Sequence, residues 1–500
     1  MSFATDLLQV SQETFNVVKA ATSGLDAATG LAGVNLQPLV QLVPVDTPFR
    51  NSTPRSASKM GSQNIYWQTF LNINNQQSNA AVAADYAGPE VQIANQYIYA
   101  PVADMEMDGL VTLDAIAQAQ GYADALAAGT LYTLNQLMIS EDKNLLNAQS
   151  FPLPAIGTVS LANHTTGGSV PASTAVYVKC AARSGNNFYY GGSGIASAEA
   201  TVTSGSTTAT NSFTASVAAV KGAAAYDWFV SGTTGTEVYY TTTTVNTVTI
   251  TSIPTAAQPL PSALLQVGLS TTAPSAVPTV DTSYSESWVN GLLATILGDF
   301  ASSAGTTNLV TPGTGISQGA YYQSLDGGQL TVTGAGIGQL DEMNAAIYNT
   351  YHISPTRYLM GSQSVQDLAN AELNNPQAVT WLMPNDMVGR AKMVMGGAVA
   401  LYLNKTVNGK PITLELQPHL PPGTIIAVTD EIPFPAANVQ TALAVETQLD
   451  YFRFDYAANR NAGAANGGPR YEFGIRTREA FINRASPVMG VLQNVAAGVA

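Results

Sequence analysis

The stretch Glu106–Gln149, EMDGLVTLDAIAQAQGYADALAAGTLYTLNQLMISEDKNLLNAQ, combines helical spacing of apolar residues with unusual length. The apolar residues that follow this spacing are Leu113, Ile116, Leu126, Leu134, Leu137 and Leu145. At about 1.5 Å per residue, one helix over the whole stretch would be about 60 Å long, which exceeds the width of a compact domain. Although Gly121 and Gly129 interrupt the stretch, we expect it to form a long spine helix and not one helix of a bundle.

The residues before this stretch predict a two-stranded hairpin and an arm. Residues 59–100 contain two strand-like segments, NIYWQTFLNIN and VQIANQYIYAPV, which are separated by a polar connection. An isolated ribbon of this kind is only marginally stable in water, so we expect it to lie on something else, such as a neighbouring subunit. Residues 1–58 alternate short apolar runs with Gly and Pro and predict an extended arm.

Downstream of the stretch, the composition changes abruptly at residue 155 to Thr, Ser, Gly, Ala and Val. Short strand candidates recur here at roughly ten-residue intervals with turn residues between them, which is typical of a β-sandwich. We predict an inserted immunoglobulin-like domain over residues 155–275. The alternative is a low-complexity linker, but a linker would lack the core residues of Tyr226–Val230 and Val238–Tyr240.

The remaining residues predict an α+β core that is discontinuous around the insertion. Within it, Leu330–His352, LTVTGAGIGQLDEMNAAIYNTYH, indicates a short strand, a glycine turn and a helix. The glycines follow G-x-G-x-G, whereas the dinucleotide fingerprint requires G-x-G-x-x-G and a later acidic residue. We therefore interpret this turn as a loop that leads into a helix, and we predict no cofactor.

The charge of the chain is low and acidic. Only 10% of its residues are charged, against a typical ~25%, so its surface must be rich in amides, hydroxyls and small residues or be covered by neighbours. The net charge of −14 argues against sequence-independent binding of phosphate backbones. The single cysteine, Cys180, excludes a disulfide framework and is most simply a buried apolar residue. No secretory signal is evident, and no apolar stretch reaches the ~18 residues that a membrane helix needs.

The ionisable residues do not predict catalysis. The histidines His164, His352 and His419 are far apart, and none belongs to a cluster with metal-ligand spacing. The adjacent acids have simpler roles: Asp341-Glu342 lies in the first turn of a helix, and Glu141-Asp142-Lys143 is typical of a solvated helical face. Since no hydrolase, phosphate-loop, zinc or calcium motif is present, we predict no catalytic or metal site and do not expect an enzyme.

The order of the elements resembles that of the major capsid protein of tailed bacteriophages, the Hong Kong 97-like fold. The elements are an arm, a long hairpin, a spine helix, an α+β core and a C-terminal strand block. The passage LDEMNAAIYNTYHISPTRYLMGSQSVQDLANA is similar to the start of the axial domain of that family. LPPGTIIAVTDEIPFP resembles its late strand and loop, and YEFGIRTREAFINRASPVMGVLQNV resembles its return into the peripheral domain.

The resemblance implies a division of the chain. Its parts are the arm (1–58), the extended loop (59–100), the peripheral domain with the spine helix (101–154), the insertion (155–275), the continued peripheral domain (276–350), the axial domain (351–440) and the C-terminal return to the axial and peripheral domains (441–500).

The resemblance also implies a function. Subunits would self-assemble into pentamers and hexamers of an icosahedral virion shell around double-stranded DNA, in the cytoplasm of a host bacterium. A separate scaffolding protein is expected, because the chain starts almost directly with the arm. A portal protein and possible decoration or cement proteins are further expected partners, with no membrane. Because Gln63–Tyr99 contains no lysine, a covalent crosslink between subunits is not expected. The insertion is expected to project outward.

We predict intersubunit contacts for ten basic and aromatic residues. They are Arg50, Arg55, Lys59, Trp67, Phe70, Tyr97, Tyr99, Arg453, Arg476 and Arg478. Arginine forks suit carboxylates at interfaces, and weak non-specific contact with packaged DNA is the alternative for the basic members. Two other functions stay open, namely a tail or bacterial surface-layer protein with an immunoglobulin-like module, and an enzyme.

Overall fold

The computed structural model describes residues 45–57, 61, 63–70, 81–88, 95–119, 124–207, 209–297, 320–333, 336–374, 401–407, 409–430, 441–456 and 470–498. Over these ranges the chain is mixed α+β, as the sequence predicts. The α-helices are α1 (Pro48–Ser52), α2 (Leu113–Ala119), α3 (Ala125–Asn147), α4 (Gly185–Tyr190), α5 (Ser262–Gln266), α6 (Leu292–Leu297), α7 (Gly338–Tyr351) and α8 (Ser362–Asn374).

The strands account for most of the regular structure. They are β1 (Arg55–Ala57), β2 (Asn64–Phe70), β3 (Asn95–Pro101), β4 (Ala103–Thr112), β5 (Ser160–His164), β6 (Ala175–Ser184), β7 (Ala200–Thr203), β8 (Ser212–Ser216), β9 (Ala223–Ser231), β10 (Val238–Thr243), β11 (Thr247–Ile250), β12 (Tyr321–Ser324), β13 (Arg357–Met360), β14 (Leu401–Asn404), β15 (Lys410–Leu416), β16 (Ile425–Val428), β17 (Leu443–Asp455), β18 (Arg470–Asn483) and β19 (Gly490–Gln493).

The predicted single helix over residues 106–149 is wrong. Residues 103–112 form β4, in which Ala103 and Met105 are buried while Asp104 and Glu106 are exposed. This alternation has the period of two that a strand requires, and it outweighs the helical spacing of the leucines that follow. The long helix is α3, which has 23 residues and is therefore about 34 Å long. Asp124 caps its first turn, because Asp124 Oδ1 accepts hydrogen bonds from the backbone N–H groups of Leu126 and Ala127.

The chain forms two compact units. The smaller takes its described residues from 108–135 and 455–473. In it, the start of α3 approaches β4 closely, because Gly129 faces Val111 and Gly109 faces the ring of Phe473 with no side chain between them. A Cβ atom at either glycine would collide with these side chains.

The larger unit takes its described residues from 47–107, 136–454 and 474–498. One of its sheets has the strand order β1-β17-β18-β4, with β1 parallel to β17. The second half of α3 packs into the same core, where Leu145 and Leu146 are buried with Phe49 and Phe481. The segment around Phe49 therefore belongs to this core.

A second sheet of the larger unit has the order β12-β19-β16-β13-β15-β14. Helix α7 packs on it through Leu340, Met343 and Ile347, which are buried with Tyr358 of β13. The glycine turn indeed leads into α7, which ends where His352 adopts a left-handed conformation with φ of 57°. The predicted helix after the glycine turn is confirmed.

The insertion contains two packed sheets, with strand orders β10-β9-β6-β7 and β11-β8-β5. Phe213, Tyr226 and Trp228 are fully buried in the core between them, so a low-complexity linker is excluded. His164 lies in β5 opposite Ser212. Cys180 is buried as expected, and burial raises the pKa of its thiol. The immunoglobulin-like assignment of this sandwich stays a prediction.

The sandwich packs on the rest of the larger unit through specific contacts. The backbone N–H of Gly222 donates to Gln493 Oε1 at 3.0 Å, and Asn246 Nδ2 donates to Asp326 Oδ1 at 3.1 Å. On α3, the ammonium of Lys143 lies 5.1 Å from the ring centroid of Tyr189, which is a cation–π contact. These contacts hold the sandwich against α3 and β19.

Gly291 offers a test of the packing between α6 and the end of α3. A Cβ atom at this position would lie 2.5 Å from Asn144 O and 2.8 Å from Leu145 O, which are backbone atoms of a helix and cannot move aside. We expect Gly291→Ala to lower the free energy of unfolding by about 1–3 kcal/mol in urea titrations. Gly157→Ala is the control, because nothing lies within 4 Å of its added methyl group. Equal stability of the two variants would contradict this packing.

Candidate assembly interface

Arg50 and Arg55, two of the predicted contact residues, reach buried carboxylates of their own chain. Arg50 Nε donates to Glu141 Oε2 at 2.9 Å. The Arg55 guanidinium contacts the other oxygen of Glu141, and its Nη2 lies 3.2 Å from Glu479 Oε2. Both guanidiniums also lie over the ring of Tyr451, at 5.3 and 5.6 Å from its centroid. The side chains of Glu141 and Glu479 are 0% exposed.

The next residue of α3, Asp142, is buried as well. It accepts a hydrogen bond from the backbone N–H of Arg50 at 2.7 Å, and its other oxygen lies 2.6 Å from His419 Nδ1. Asn147, one turn further along α3, donates to the carbonyl of His419 at 2.8 Å. The interpretation of Glu141-Asp142-Lys143 as a solvated helical face is therefore wrong. The acids are buried because residues that are distant in sequence cover them and supply hydrogen-bond donors or positive charge.

The electrostatics of this cluster are set by burial. Removal from water raises the pKa of Glu479, while the positive charges of Arg55 and Arg50 act in the opposite direction. Burial likewise lowers the pKa of Arg55, against the attraction of Glu479. Removing water from two carboxylates costs several kcal/mol each, and paired guanidiniums offset that cost only while the network is complete.

The predicted hairpin pairing is confirmed: β2 and β3 are antiparallel, with Tyr66 opposite Tyr99. One face of this ribbon packs on β18, where Ile65 and Ala100 are buried with Ala480 and Ile482.

On the other face of the ribbon, Tyr66 is 55% exposed and its ring centroid lies 5.8 Å from that of Tyr99.

The remaining predicted residues of this region lie elsewhere. Trp67 is partly buried and packs with Ala480 and Ile482 on the inner face. Phe70 and Tyr97 belong to the paired strands, and Lys59 lies outside the described residues.

Arg476 and Arg478 form a third group on the sheet. Arg476 Nη2 lies 2.7 Å from Asp104 Oδ2 and its Nη1 lies 3.7 Å from Glu106 Oε2, while Arg478 Nε lies 3.6 Å from Asp104 Oδ1. All four side chains are partly exposed to solvent. Arg453 is exposed on β17. The structure thus places eight of the ten predicted residues in a buried network, a ribbon and a surface ion-pair group, and the role of all ten between subunits stays a prediction.

Sequence reasoning missed Glu141, Asp142, Glu479, Tyr451 and His419 as members of the buried network. One signal was present: Glu141 lies midway between Leu137 and Leu145, four residues from each, and therefore on the apolar face of α3. No comparable pattern marks the other four, since their partners come from distant parts of the chain.

The structure adds two findings on chemistry. In the described ranges, no three His, Cys, Asp or Glu side chains are grouped so that they could hold a metal ion. No helix among the described residues is both long and apolar enough to cross a membrane. The absence of a catalytic site or cofactor stays a prediction.

No family model and no curated protein matches the chain. Among solved structures, it is similar to the capsid of the native GTA particle, with a TM-score of 0.44 and 7% identity over 95% of this chain and 99% of that chain. It is similar to the Cyanophage A-1(L) capsid (TM-score 0.41, 9% identity, 94% and 98% covered). It is also similar to the holo-SrpI encapsulin complex from Synechococcus elongatus PCC 7942 (TM-score 0.38, 8% identity, 92% of each chain covered).

The buried network predicts a large effect for a change that removes one charge and little volume. We expect Glu141→Gln to lower the free energy of unfolding by about 3–5 kcal/mol, because it leaves Arg50 and Arg55 without their shared carboxylate. Urea titration followed by circular dichroism measures the change. Glu286→Gln is the control, since Glu286 is exposed. If both variants unfold at the same urea concentration, the carboxylate of Glu141 is solvated and the network does not hold the segment.

Proposed function

We propose that this chain is the major capsid protein of a tailed bacteriophage, with the Hong Kong 97-like fold, and that it assembles into a closed shell. The observation that carries the proposal is the ribbon of β2 and β3. In the described part of the chain, these two strands pair only with each other. A two-stranded ribbon is marginal in water, so a subunit that carries one gains stability when a neighbour covers it.

The ribbon's two faces support this role. Its inner face is satisfied within the chain, since Ile65 and Ala100 pack against β18. Its outer face presents an aromatic pair, in which Tyr66 is exposed and Tyr99 is partly buried. Aromatic side chains are enriched in protein interfaces, because they bury much apolar area and lose little conformational entropy. The pair is a suitable contact for the neighbouring subunit.

The arrangement of the larger unit also supports the proposal. The sheet of β4, β17 and β18 with α3 corresponds to the peripheral domain that the sequence resemblance implies. The second sheet contains β13 to β16, which together with α8 lie within the predicted axial domain (351–440), and it pairs them with β19 of the predicted C-terminal return and, through β19, with β12 of the predicted continued peripheral domain. The first sheet joins strands that are hundreds of residues apart, as expected for a core that is discontinuous around an insertion.

Exposed apolar side chains are a third line of support. Leu401 and Leu403 point to one face of β14 and are 51% and 60% exposed. Their partners on β15, Thr413 and Pro411, are uncharged and exposed as well. In a chain with only 10% charged residues, such a face favours association over solvation.

In this function, subunits form pentamers and hexamers of an icosahedral shell that encloses double-stranded DNA. Assembly takes place in the cytoplasm of the bacterial host with a separate scaffolding protein and a portal protein, and decoration proteins are possible further partners. The inserted sandwich belongs to the outer surface. Contacts between subunits are non-covalent, with weak contact to the DNA.

Electron microscopy of the purified protein, expressed alone and together with its scaffold, tests the function. We expect closed shells, or rings of five and six subunits, in at least one of the two preparations. Monomers in both preparations would contradict a shell protein. Flat lattices would instead favour a surface-layer protein.

The ribbon's part in assembly has its own test. We expect the double variant Tyr66→Ser, Tyr99→Ser to raise the protein concentration needed for assembly at least about tenfold, because interface aromatics contribute about 1–2 kcal/mol or more each. Sedimentation velocity measures assembly, and circular dichroism checks that the subunits stay folded. Ile195→Ser is the control, since Ile195 is 55% exposed but lies in the insertion. Unchanged assembly of the tyrosine variant would exclude the ribbon's outer face as a subunit contact.

A further inference from the structure

A cavity of about 260 Å³ lies where the sandwich meets α6 and the segment that follows α3. Its wall is mainly apolar and includes Phe151, Leu153, Leu293 and Leu297. One cationic side chain, Lys221, also lines it. The cavity therefore combines an apolar surface with a single positive charge.

Lys221 has an unusual environment for a lysine. It is only partly exposed, and its ammonium lies 5.2 Å from the ring centroid of Tyr322. No carboxylate of the described residues lies within ion-pair distance of it, although five of the other basic residues of the larger unit pair with buried or half-buried acids. Burial without a counter-charge lowers the pKa of Lys221 to about 8. Among the residues that the structure describes, the ammonium thus has no carboxylate partner.

Two further hydrogen-bond donors beside Lys221 lack acceptors within the described ranges. The hydroxyl of Tyr322 is buried and has no partner there. Gln493 is fully buried, and its Oε1 accepts from the N–H of Gly222, next to Lys221. That bond fixes the orientation of the amide and leaves its Nε2 without an acceptor. Neither of these two groups lines the cavity, so the group that a ligand's acceptor oxygens would meet there is the ammonium of Lys221.

We propose that this cavity binds a small carboxylate with an apolar body, such as an aryl or short-chain alkyl carboxylate. The carboxylate pairs with the ammonium of Lys221, and the hydrocarbon part lies on Leu153, Leu293 and Leu297. An inorganic anion would fit the charge but would leave the apolar wall uncovered, while a neutral hydrocarbon would leave the ammonium unpaired. The proposal is independent of shell assembly, because every residue in it belongs to one chain.

The consequence for the protein is mechanical. The ligand would contact the sandwich through Lys221 and the core through Leu293 and Leu297. A ligand that binds only when the sandwich is packed on the core stabilises that packing by mass action. A bound carboxylate would therefore hold the sandwich in its place.

A matched pair of fluorinated probes tests the proposal. 4-Fluorobenzoate and 4-fluorobenzyl alcohol have nearly the same shape and differ in charge, and ¹⁹F relaxation of each reports binding to the purified full chain. The variant Lys221→Met removes the charge and keeps an apolar chain of similar length. Lys410→Met is the control, because Lys410 is exposed on β15.

We expect the wild-type chain to bind the benzoate at least about tenfold more tightly than the alcohol, because a charge-assisted contact forms with only one of them. Lys221→Met should weaken the benzoate to the level of the alcohol and leave alcohol binding unchanged, which also shows that the cavity is intact. Lys410→Met should behave as wild type. Between pH 7 and pH 9.5, benzoate affinity should fall by about an order of magnitude or more as Lys221 loses its proton.

Three results would overturn the proposal. They are equal affinity for the two probes, benzoate binding that survives Lys221→Met, and no binding of either probe. A benzoate affinity that is independent of pH between 7 and 9.5 would also overturn it, and this arm uses only the wild-type protein.

Discussion

The larger unit depends on the neutralisation of two carboxylates that water does not reach. Glu141 of α3 and Glu479 of β18 are both fully buried. Their charges are balanced by Arg50 and Arg55. These arginines come from a segment that contributes little else than Phe49 to the core. If the segment left, the two buried acids would remain unpaired. An unpaired buried charge strongly lowers the free energy of unfolding. The segment is therefore part of the fold, and its position is specified by charge.

Three successive residues of α3 each bind a different part of the larger unit. Glu141 binds the segment of Arg50 and Arg55, Asp142 approaches His419 in the loop before β16, and Lys143 lies against Tyr189 of the sandwich. Successive residues of a helix point about 100° apart, so three neighbours can face three directions. One turn of helix thus joins the N-terminal segment, the second sheet and the insertion. A shift of this turn would disturb all of them together, which couples the parts mechanically.

Local patterns in the sequence were sufficient for most of the strands. The runs YDWFVSG and RYLMGS form β9 and β13, because β-branched and aromatic residues between turn residues favour strands that are at least half buried.

The helix boundary was missed for a related reason. Residues 103–112 alternate in burial, but their alternation merges with the leucine spacing that begins at Leu113, and one continuous period was assigned to both. The buried network could not be derived at all beyond Glu141. Its pairs join residues that are 91, 277 or 401 positions apart, and only the tertiary fold brings them together.

The distribution of charge links the fold to association. The chain has only 19 basic residues. At least four of them, Arg50, Arg55, Arg183 and Arg357, have side chains that are 24% exposed or less and pair with acids of the same chain. Each charge that is used inside is missing from the surface, where solvated charges oppose contact between identical molecules. A chain that is poor in charge and places part of that charge in its core is left with a surface of amides, hydroxyls and apolar groups. Such a surface loses little hydration when copies meet, so the same arginines that fix the fold also make the exterior suitable for assembly.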